Sequence, residues 1–149
     1  MTKEKKLIFW ELNEINFDYV NFYISEGKLP NWKKLIVNHG LFTTIAEENY
    51  NNLEPWIQWP TIRTGLAFEE HKIFRLGDIV NSNENQIFEL IEDHGYSVGA
   101  ISPMNAKNKL KKPAYFIPDP WTITKSDNSK WSELLSQAIS QVVNDNSKS

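Results

Sequence analysis

Short apolar runs alternate along this chain with stretches whose apolar residues have helical spacing, and this alternation constrains the fold more than any other feature. Apolar runs at residues 7–12, 41–46 and 96–101 are short enough to be buried strands. Strands that alternate with helices through short loops predict a parallel sheet with right-handed crossovers. A chain of 149 residues can form one such α/β domain with its own core.

Capping residues predict where the helices begin and end. Asn16 is a suitable N-cap for a helix that Gly27 ends. Pro30 is a favourable first residue for a second helix. Further amphipathic helices are predicted over residues 85–94 and 131–143, where apolar residues recur at helical spacing.

The segment at residues 53–65 is the hardest to interpret. Pro55 and Pro60 both lack a backbone N–H, so we expect them to prevent one long helix across the segment. We predict instead a short helix over residues 60–64, ended by Gly65.

Composition excludes several classes of function. The net charge of −3 offers no electrostatic attraction to nucleic acid. With no cysteine, the chain has no disulfide and no thiolate metal site. No apolar run approaches the about 20 residues of a membrane helix or the h-region of a signal peptide, so we expect no membrane partner and a cytoplasmic location.

Four segments occur in a fixed order at residues 7–14, 26–35, 59–71 and 90–99. Together they resemble the N-terminal part of the alkaline phosphatase superfamily, in its type I phosphodiesterase and nucleotide pyrophosphatase branch. The resemblance implies an incomplete three-layer α/β sandwich with a central parallel sheet. It also implies that residues 1–149 form a single α/β domain, the N-terminal portion of a larger phosphodiesterase-like domain.

The chain departs from the family pattern at the positions that carry its chemistry. The first metal-binding Asp of the family falls on Asn13 and the following Gly on Glu14. The nucleophilic Thr of the family falls on Pro55, and proline cannot be phosphorylated. Lys72 follows His71 where the family has Gly. The two-metal mechanism of the family therefore cannot be assembled from these residues.

Four residues are candidates for a site at the carboxyl edge of the predicted sheet. Asn13 and Glu14 could supply oxygen ligands for a divalent metal such as Mg²⁺, Mn²⁺, Ca²⁺ or Zn²⁺, or else form a helix-capping turn. Glu54 is a candidate acid or base and Thr61 a candidate replacement nucleophile. Their alternatives are a solvated carboxylate and a helix-start hydroxyl, since no histidine near Thr61 in sequence is seen to activate it.

Other side chains could contact a ligand or serve the structure alone. Tryptophans could stack a base or a sugar, or could lie in the core; they are Trp32, Trp56 and Trp59. Lysines could hold a phosphate, or could be scattered charge on a solvated loop; they are Lys107, Lys109, Lys111 and Lys112.

Two functional hypotheses follow. The first is a metal-dependent hydrolase resembling phosphodiesterases and nucleotide pyrophosphatases, active or inactive in this chain, that acts on a small phosphate ester. The second is a non-catalytic fragment or a binding and assembly module. The second predicts an exposed sheet edge through which copies of the chain self-associate.

Overall fold

The structure, a computed structural model, describes residues 6–46 and 49–146 of the chain. The chain divides into two compact units, residues 1–46 and residues 47–149. The described elements are α1 (Phe17–Ser25), α2 (Pro30–His39), α3 (Pro55–Thr64), α4 (Phe68–His71), α5 (Ile87–Asp93), β1 (Gly99–Ile101), β2 (Tyr115–Ile117) and α6 (Lys130–Asn146), with 3₁₀ turns at Tyr50–Asn52 and Asp78–Asn81. None of the described helices combines the length and apolar character needed to cross a bilayer.

The first unit contains two packed helices, α1 and α2, as the capping residues predict. Asn16 is the N-cap of α1, and its Oδ1 accepts hydrogen bonds from the backbone N–H groups of Asp18 at 2.8 Å and Tyr19 at 3.2 Å. Pro30 occupies the first turn of α2. The ring of Phe17 meets that of Trp32 edge-on, with 6.2 Å between centroids, so an aromatic contact joins the two helices.

The prediction of strands at residues 7–12 and 41–46 is wrong. Both runs are irregular in the structure, and their apolar side chains are largely exposed, with Ile8 90% and Phe42 87% accessible. An apolar run becomes a strand only where another strand pairs with its backbone, because strand stability comes from cross-strand contacts more than from local preference. Neither run has such a partner among the residues that the structure describes.

The second unit contains the two strands of the described chain. The strands β1 and β2 are parallel, with Gly99 opposite Tyr115 and Ile101 opposite Ile117, and α6 packs against β2. The strand prediction at residues 96–101 is therefore confirmed for its last three residues only. A small core of Ala100, Ala106 and Phe116 lies at this sheet, with Phe88 and Leu110 packed on it.

The predicted fold class is contradicted. Over residues 6–46 and 49–146 the chain is mostly helical with a two-stranded parallel sheet, and these residues do not form a three-layer α/β sandwich, complete or incomplete. A sandwich of that kind needs a sheet wide enough to be covered by helices on both faces. Two strands of three residues each cannot provide that layer.

The prediction that Pro55 and Pro60 interrupt the segment is also wrong, because both lie within α3. Pro55 is at the start of the helix, where a missing N–H costs nothing. Pro60 is inside the helix, and its missing N–H removes the usual donor to the carbonyl of Trp56. The side chain of Asn105 replaces that donor, with Nδ2 2.6 Å from the Trp56 oxygen. Gly65 ends the helix as predicted, with φ of 72°.

Candidate functional site

Both residues predicted to be catalytic lie on or beside α3. Glu54 is the residue before the helix, is exposed, and makes no side-chain capping bond. Its backbone oxygen accepts from the N–H groups of Ile57 at 2.9 Å and Gln58 at 3.0 Å. Thr61 lies seven residues further along, about 10 Å up the helix axis at the rise of an α-helix. Glu54 therefore lies before α3 and Thr61 within it, and the two side chains do not form one catalytic pair.

Thr61 has a histidine partner that sequence reasoning missed. His71, at the end of α4, is buried, and its Nε2 lies 2.9 Å from Oγ1 of Thr61. The nine residues between them fold back through Gly65 and the short helix α4, so residues distant in sequence meet in space. The sequence signal that could have found this contact is the Gly65 turn between two short helices.

A second hydrogen bond to the His71 ring indicates whether the imidazole can act as a base toward Thr61. The backbone N–H of Ile73 donates to Nδ1 of His71 at 3.0 Å. In the neutral ring, the accepting nitrogen carries no proton, so the proton resides on Nε2. Nε2 therefore donates to Thr61 Oγ1, and the Thr61 hydroxyl donates onward to the carbonyl of Ile57 at 3.2 Å. A general base needs its lone pair directed at the hydroxyl proton, and this arrangement directs an N–H there instead.

The predicted metal ligands lie in the first unit. Asn13 and Glu14 are exposed and form a turn, in which Glu14 has a left-handed backbone with φ of 53°. Across residues 6–46 and 49–146, no group of three or more His, Cys, Asp or Glu side chains is arranged to hold a metal ion. The metal role of Asn13 and Glu14 stays a prediction.

An open cavity of about 370 Å³ lies in the second unit beside the start of α3. Residues from two segments line it: Asn51, Glu54, Trp56 and Ile57 from the α3 side, and Phe74, Arg75 and Leu76 from the segment after α4. Its walls are mainly apolar, and Glu54 and Arg75 are the charged residues among those that line it. Glu54 is thus at a cavity as a site residue would be, whereas Thr61 is not among the lining residues.

The wall residues match the features that small-molecule sites share. Such sites combine apolar and aromatic walls with a few polar groups that fix orientation. Trp56 is a partly exposed residue and Arg75 an exposed one. The sequence analysis named Trp56 as a possible stacking platform. It missed Arg75, because no motif around this loop residue indicates a binding role.

The lysines considered as phosphate ligands are held by the protein in three of four cases. Nζ of Lys107 donates to the carbonyl of Ser82 at 3.0 Å. Nζ of Lys109 donates to the carbonyls of Asn83 at 2.7 Å and Glu84 at 3.2 Å. Lys111 pairs with Asp93 at 2.7 Å, and this exposed ion pair lowers the pKa of the carboxyl. Lys107 and Lys109 thus bond to the backbone of residues 82–84, and Lys111 bonds to the last residue of α5.

A further buried cation was not foreseen. Arg63 on α3 is 2% exposed, and its Nη1 donates to Oε1 of Gln86 at 3.2 Å. Its Nη2 donates to the carbonyl of Met104, and its guanidinium lies 5.9 Å from the ring centroid of Phe88. The side chain therefore joins α3 to α5 and to the loop after β1.

In comparisons with protein-family models, curated proteins and solved structures, none matched this chain.

Proposed function

We propose that this chain is a non-catalytic binding module, and that the cavity beside α3 takes a small phosphate ester with an aromatic base or a sugar. The observation that carries the proposal is the composition of the cavity wall. It combines a partly exposed tryptophan, Trp56, with an exposed arginine, Arg75, around a volume of about 370 Å³. A cavity of that size falls in the range of small-molecule sites.

Each wall residue would have a separate role. The indole of Trp56 would stack on the base or sugar, an interaction worth about 1–3 kcal/mol per base. The guanidinium of Arg75 would pair with the phosphate through two parallel hydrogen bonds. The Glu54 carboxylate would repel the phosphate and accept hydrogen bonds from ligand hydroxyls, which orients the ligand with its phosphate toward Arg75.

The hydrogen bonds of Thr61 support the non-catalytic part of the proposal. Its hydroxyl accepts from His71 and donates to a helix carbonyl, so neither of these two contacts directs a base at its proton. At the position of the nucleophile in the resembled family, the chain has Pro55, which has no hydroxyl. These residues fit a site that holds a phosphate ester without cleaving it.

The test is a titration followed by ¹⁹F NMR of protein labelled with 5-fluorotryptophan. Trp56→Phe assigns the Trp56 resonance among the six tryptophans. We expect adenosine monophosphate to move that resonance saturably, adenosine to move it more weakly, and inorganic phosphate to leave it in place. Arg75→Gln should weaken binding of the monophosphate roughly tenfold and leave adenosine unaffected.

The matched control is Lys125→Gln, which removes another exposed cation of the second unit that does not line the cavity. It should leave both titrations unchanged. An unmoved Trp56 resonance at millimolar adenosine monophosphate would end the proposal. Equal weakening by Lys125→Gln would show that the attraction comes from net charge and not from this site.

The 2.9 Å contact between Thr61 and His71 favours a second candidate, a metal-dependent phosphodiester hydrolase. This candidate requires the other imidazole tautomer, with the Nε2 lone pair facing Thr61. Hydrolysis of bis-p-nitrophenyl phosphate with Mn²⁺, Mg²⁺ or Zn²⁺ tests it. Activity that Thr61→Val and His71→Gln both abolish would establish the hydrolase and overturn the non-catalytic proposal.

Thermal unfolding with the same ions tests the metal prediction separately. An ion that binds only the folded protein raises its melting temperature by mass action. A rise that Asn13→Ala and Glu14→Gln remove would assign the ion to that turn. A rise that persists in both variants would assign the ion elsewhere.

A further inference from the structure

We infer that Asn105 is a positioning residue that holds the two walls of the cavity in register without contacting the ligand. The inference rests on the proposed function, since it concerns the same cavity. Asn105 has no exposed surface and is not among the lining residues. It also has a left-handed backbone with φ of 51°, a conformation that asparagine adopts more readily than most residues.

The amide of Asn105 bonds to both walls at once. On the α3 side, its Nδ2 donates to the carbonyl of Trp56 at 2.6 Å. On the other side, the same Nδ2 donates to the carbonyl of Arg75 at 3.3 Å, and its Oδ1 accepts from the N–H of Gly77 at 2.9 Å. One side chain therefore links the backbone that carries the indole to the backbone that carries the guanidinium.

The link to Trp56 exists because of Pro60. In an uninterrupted helix the N–H of residue 60 would satisfy the carbonyl of Trp56, and that oxygen would have no need of an outside donor. Proline removes the N–H, and an unsatisfied carbonyl in the protein interior is costly. Pro60 thus leaves the carbonyl of Trp56 without a helical donor, and the side chain of Asn105 donates to that carbonyl instead.

The backbone of Asn105 is itself fixed by a hydrogen bond, so its side chain can hold both cavity walls at fixed positions. Its backbone N–H donates to Oδ2 of Asp119 at 2.9 Å. Oδ1 of that carboxylate accepts from the N–H groups of Trp121 at 2.8 Å and Thr122 at 3.0 Å. Only an amide supplies both a donor pair and an acceptor at this point, so aspartate, which has the same shape, would present oxygen to two carbonyl oxygens.

The test compares Asn105→Ala with Asn108→Ala in the 5-fluorotryptophan protein. Asn108 is a matched control, because its Nδ2 also donates to two carbonyls, those of Lys125 at 3.0 Å and Ser126 at 3.4 Å, and its Oδ1 accepts a backbone N–H. Neither of those carbonyls belongs to a residue that lines the cavity. We expect Asn105→Ala to shift or broaden the Trp56 resonance without ligand, and Asn108→Ala to leave it unchanged.

Ligand affinity and rescue complete the test. Asn105→Ala should raise the Kd for adenosine monophosphate roughly tenfold beyond the effect of Asn108→Ala. Adding Pro60→Ala to Asn105→Ala restores a helical N–H for the Trp56 carbonyl and should recover part of both the affinity and the native Trp56 resonance. Asn105→Ser, which keeps a shorter donor, replaces Asn105→Ala in every measurement if the latter does not fold.

The outcomes separate the two proposals. If Asn105→Ala moves the Trp56 resonance no more than Asn108→Ala does, or if Pro60→Ala recovers neither measurement, the positioning role is wrong. If the unmodified protein does not bind adenosine monophosphate, the proposed function fails. The ligand-free Trp56 resonance and its recovery by Pro60→Ala still decide the role of Asn105 in that case.

Discussion

Nε2 of His71 lies 2.9 Å from Oγ1 of Thr61, and the N–H of Ile73 occupies the other ring nitrogen. A hydroxyl and an imidazole at this distance have the geometry of a nucleophile and its base. The direction of the hydrogen bonds gives them another role, because the proton that would have to leave Thr61 is directed at a helix carbonyl. The pair fastens α4 to α3.

This role predicts a coupled loss of stability when the pair is removed. Thr61→Val keeps the shape of the side chain and removes the hydroxyl that accepts from the buried His71 ring, so we expect a loss of about 1–3 kcal/mol in the free energy of unfolding. His71→Ala should cost at least as much. In the double variant the losses should not add, with a coupling energy of about 1 kcal/mol. Urea unfolding measures all three, and strict additivity would contradict the bond.

The lowered pKa of Asp127 predicts how the stability of the folded protein changes at acidic pH. Burial raises the pKa of its carboxyl, but hydrogen bonds from Ser129, Ser132 and the N–H of Phe116 outweigh burial and hold the pKa well below its ordinary value. A carboxyl whose pKa is lower in the folded state stabilises the protein above its unfolded pKa, near 3.9. That stabilisation should be lost progressively as the pH falls below about 4 toward the folded pKa.

The measurement is the free energy of unfolding from pH 7 to pH 2 for the native protein and Asp127→Asn. The variant should be less stable at pH 7 by roughly 2 kcal/mol and should lose less stability on acidification. The control is Glu84→Gln, which removes the charge of an exposed carboxylate in the same unit. Parallel pH profiles for the native protein and Asp127→Asn would refute the assignment.

The contacts of Arg63 predict that lysine, which has the same charge, cannot replace this buried arginine without loss of stability. Arg63→Lys retains the charge but cannot reach Gln86 and the Met104 carbonyl together, and it leaves a buried ammonium poorly paired. We expect it to lower the free energy of unfolding by roughly 3 kcal/mol. The exposed Arg75→Lys should change stability by less than about 0.5 kcal/mol. Equal effects of the two substitutions in urea unfolding would show that Arg63 is not buried as described.

The left-handed backbone of Glu14 predicts that glycine at this position stabilises the first unit. A side chain with φ of 53° is strained, and glycine removes the strain while adding freedom to the unfolded chain, so Glu14→Gly should stabilise by about 0.5–1 kcal/mol net. Glu26→Gly is the control, because Glu26 has φ of −77° and glycine brings only the entropic cost there. Opposite changes in melting temperature are expected, and a loss of stability in both variants would count against the turn.

Apolar side chains on the sheet and on α6 are exposed and could take part in self-association. Ile101 and Tyr115 on the strands are 67% and 44% exposed, and Trp131 on α6 is 75% exposed. These side chains agree with the exposed apolar surface that the binding-module hypothesis anticipates. Whether copies of the chain associate there stays a prediction, and a concentration series by analytical ultracentrifugation tests it.

The helices with strong local signals were predictable from the sequence. Asn16, Pro30 and Gly65 act through hydrogen bonds and backbone angles within a few residues of themselves, so their effect needs no distant partner. The strands could not be predicted this way, because residues 7–12 and 96–101 have similar local preference and differ in whether a partner backbone pairs with them.

Only the tertiary structure decided the properties that depend on distant residues. Pro60 can stay inside a helix because a side chain 45 positions later supplies the missing donor, and no local pattern encodes that donor. The imidazole of His71 reaches Thr61 because the chain turns back at Gly65, and the N–H of Ile73 then sets which ring nitrogen holds the proton. Local propensity determines where a helix begins and ends, whereas hydrogen-bond partners across the fold determine which side chains can react and which only hold the structure together.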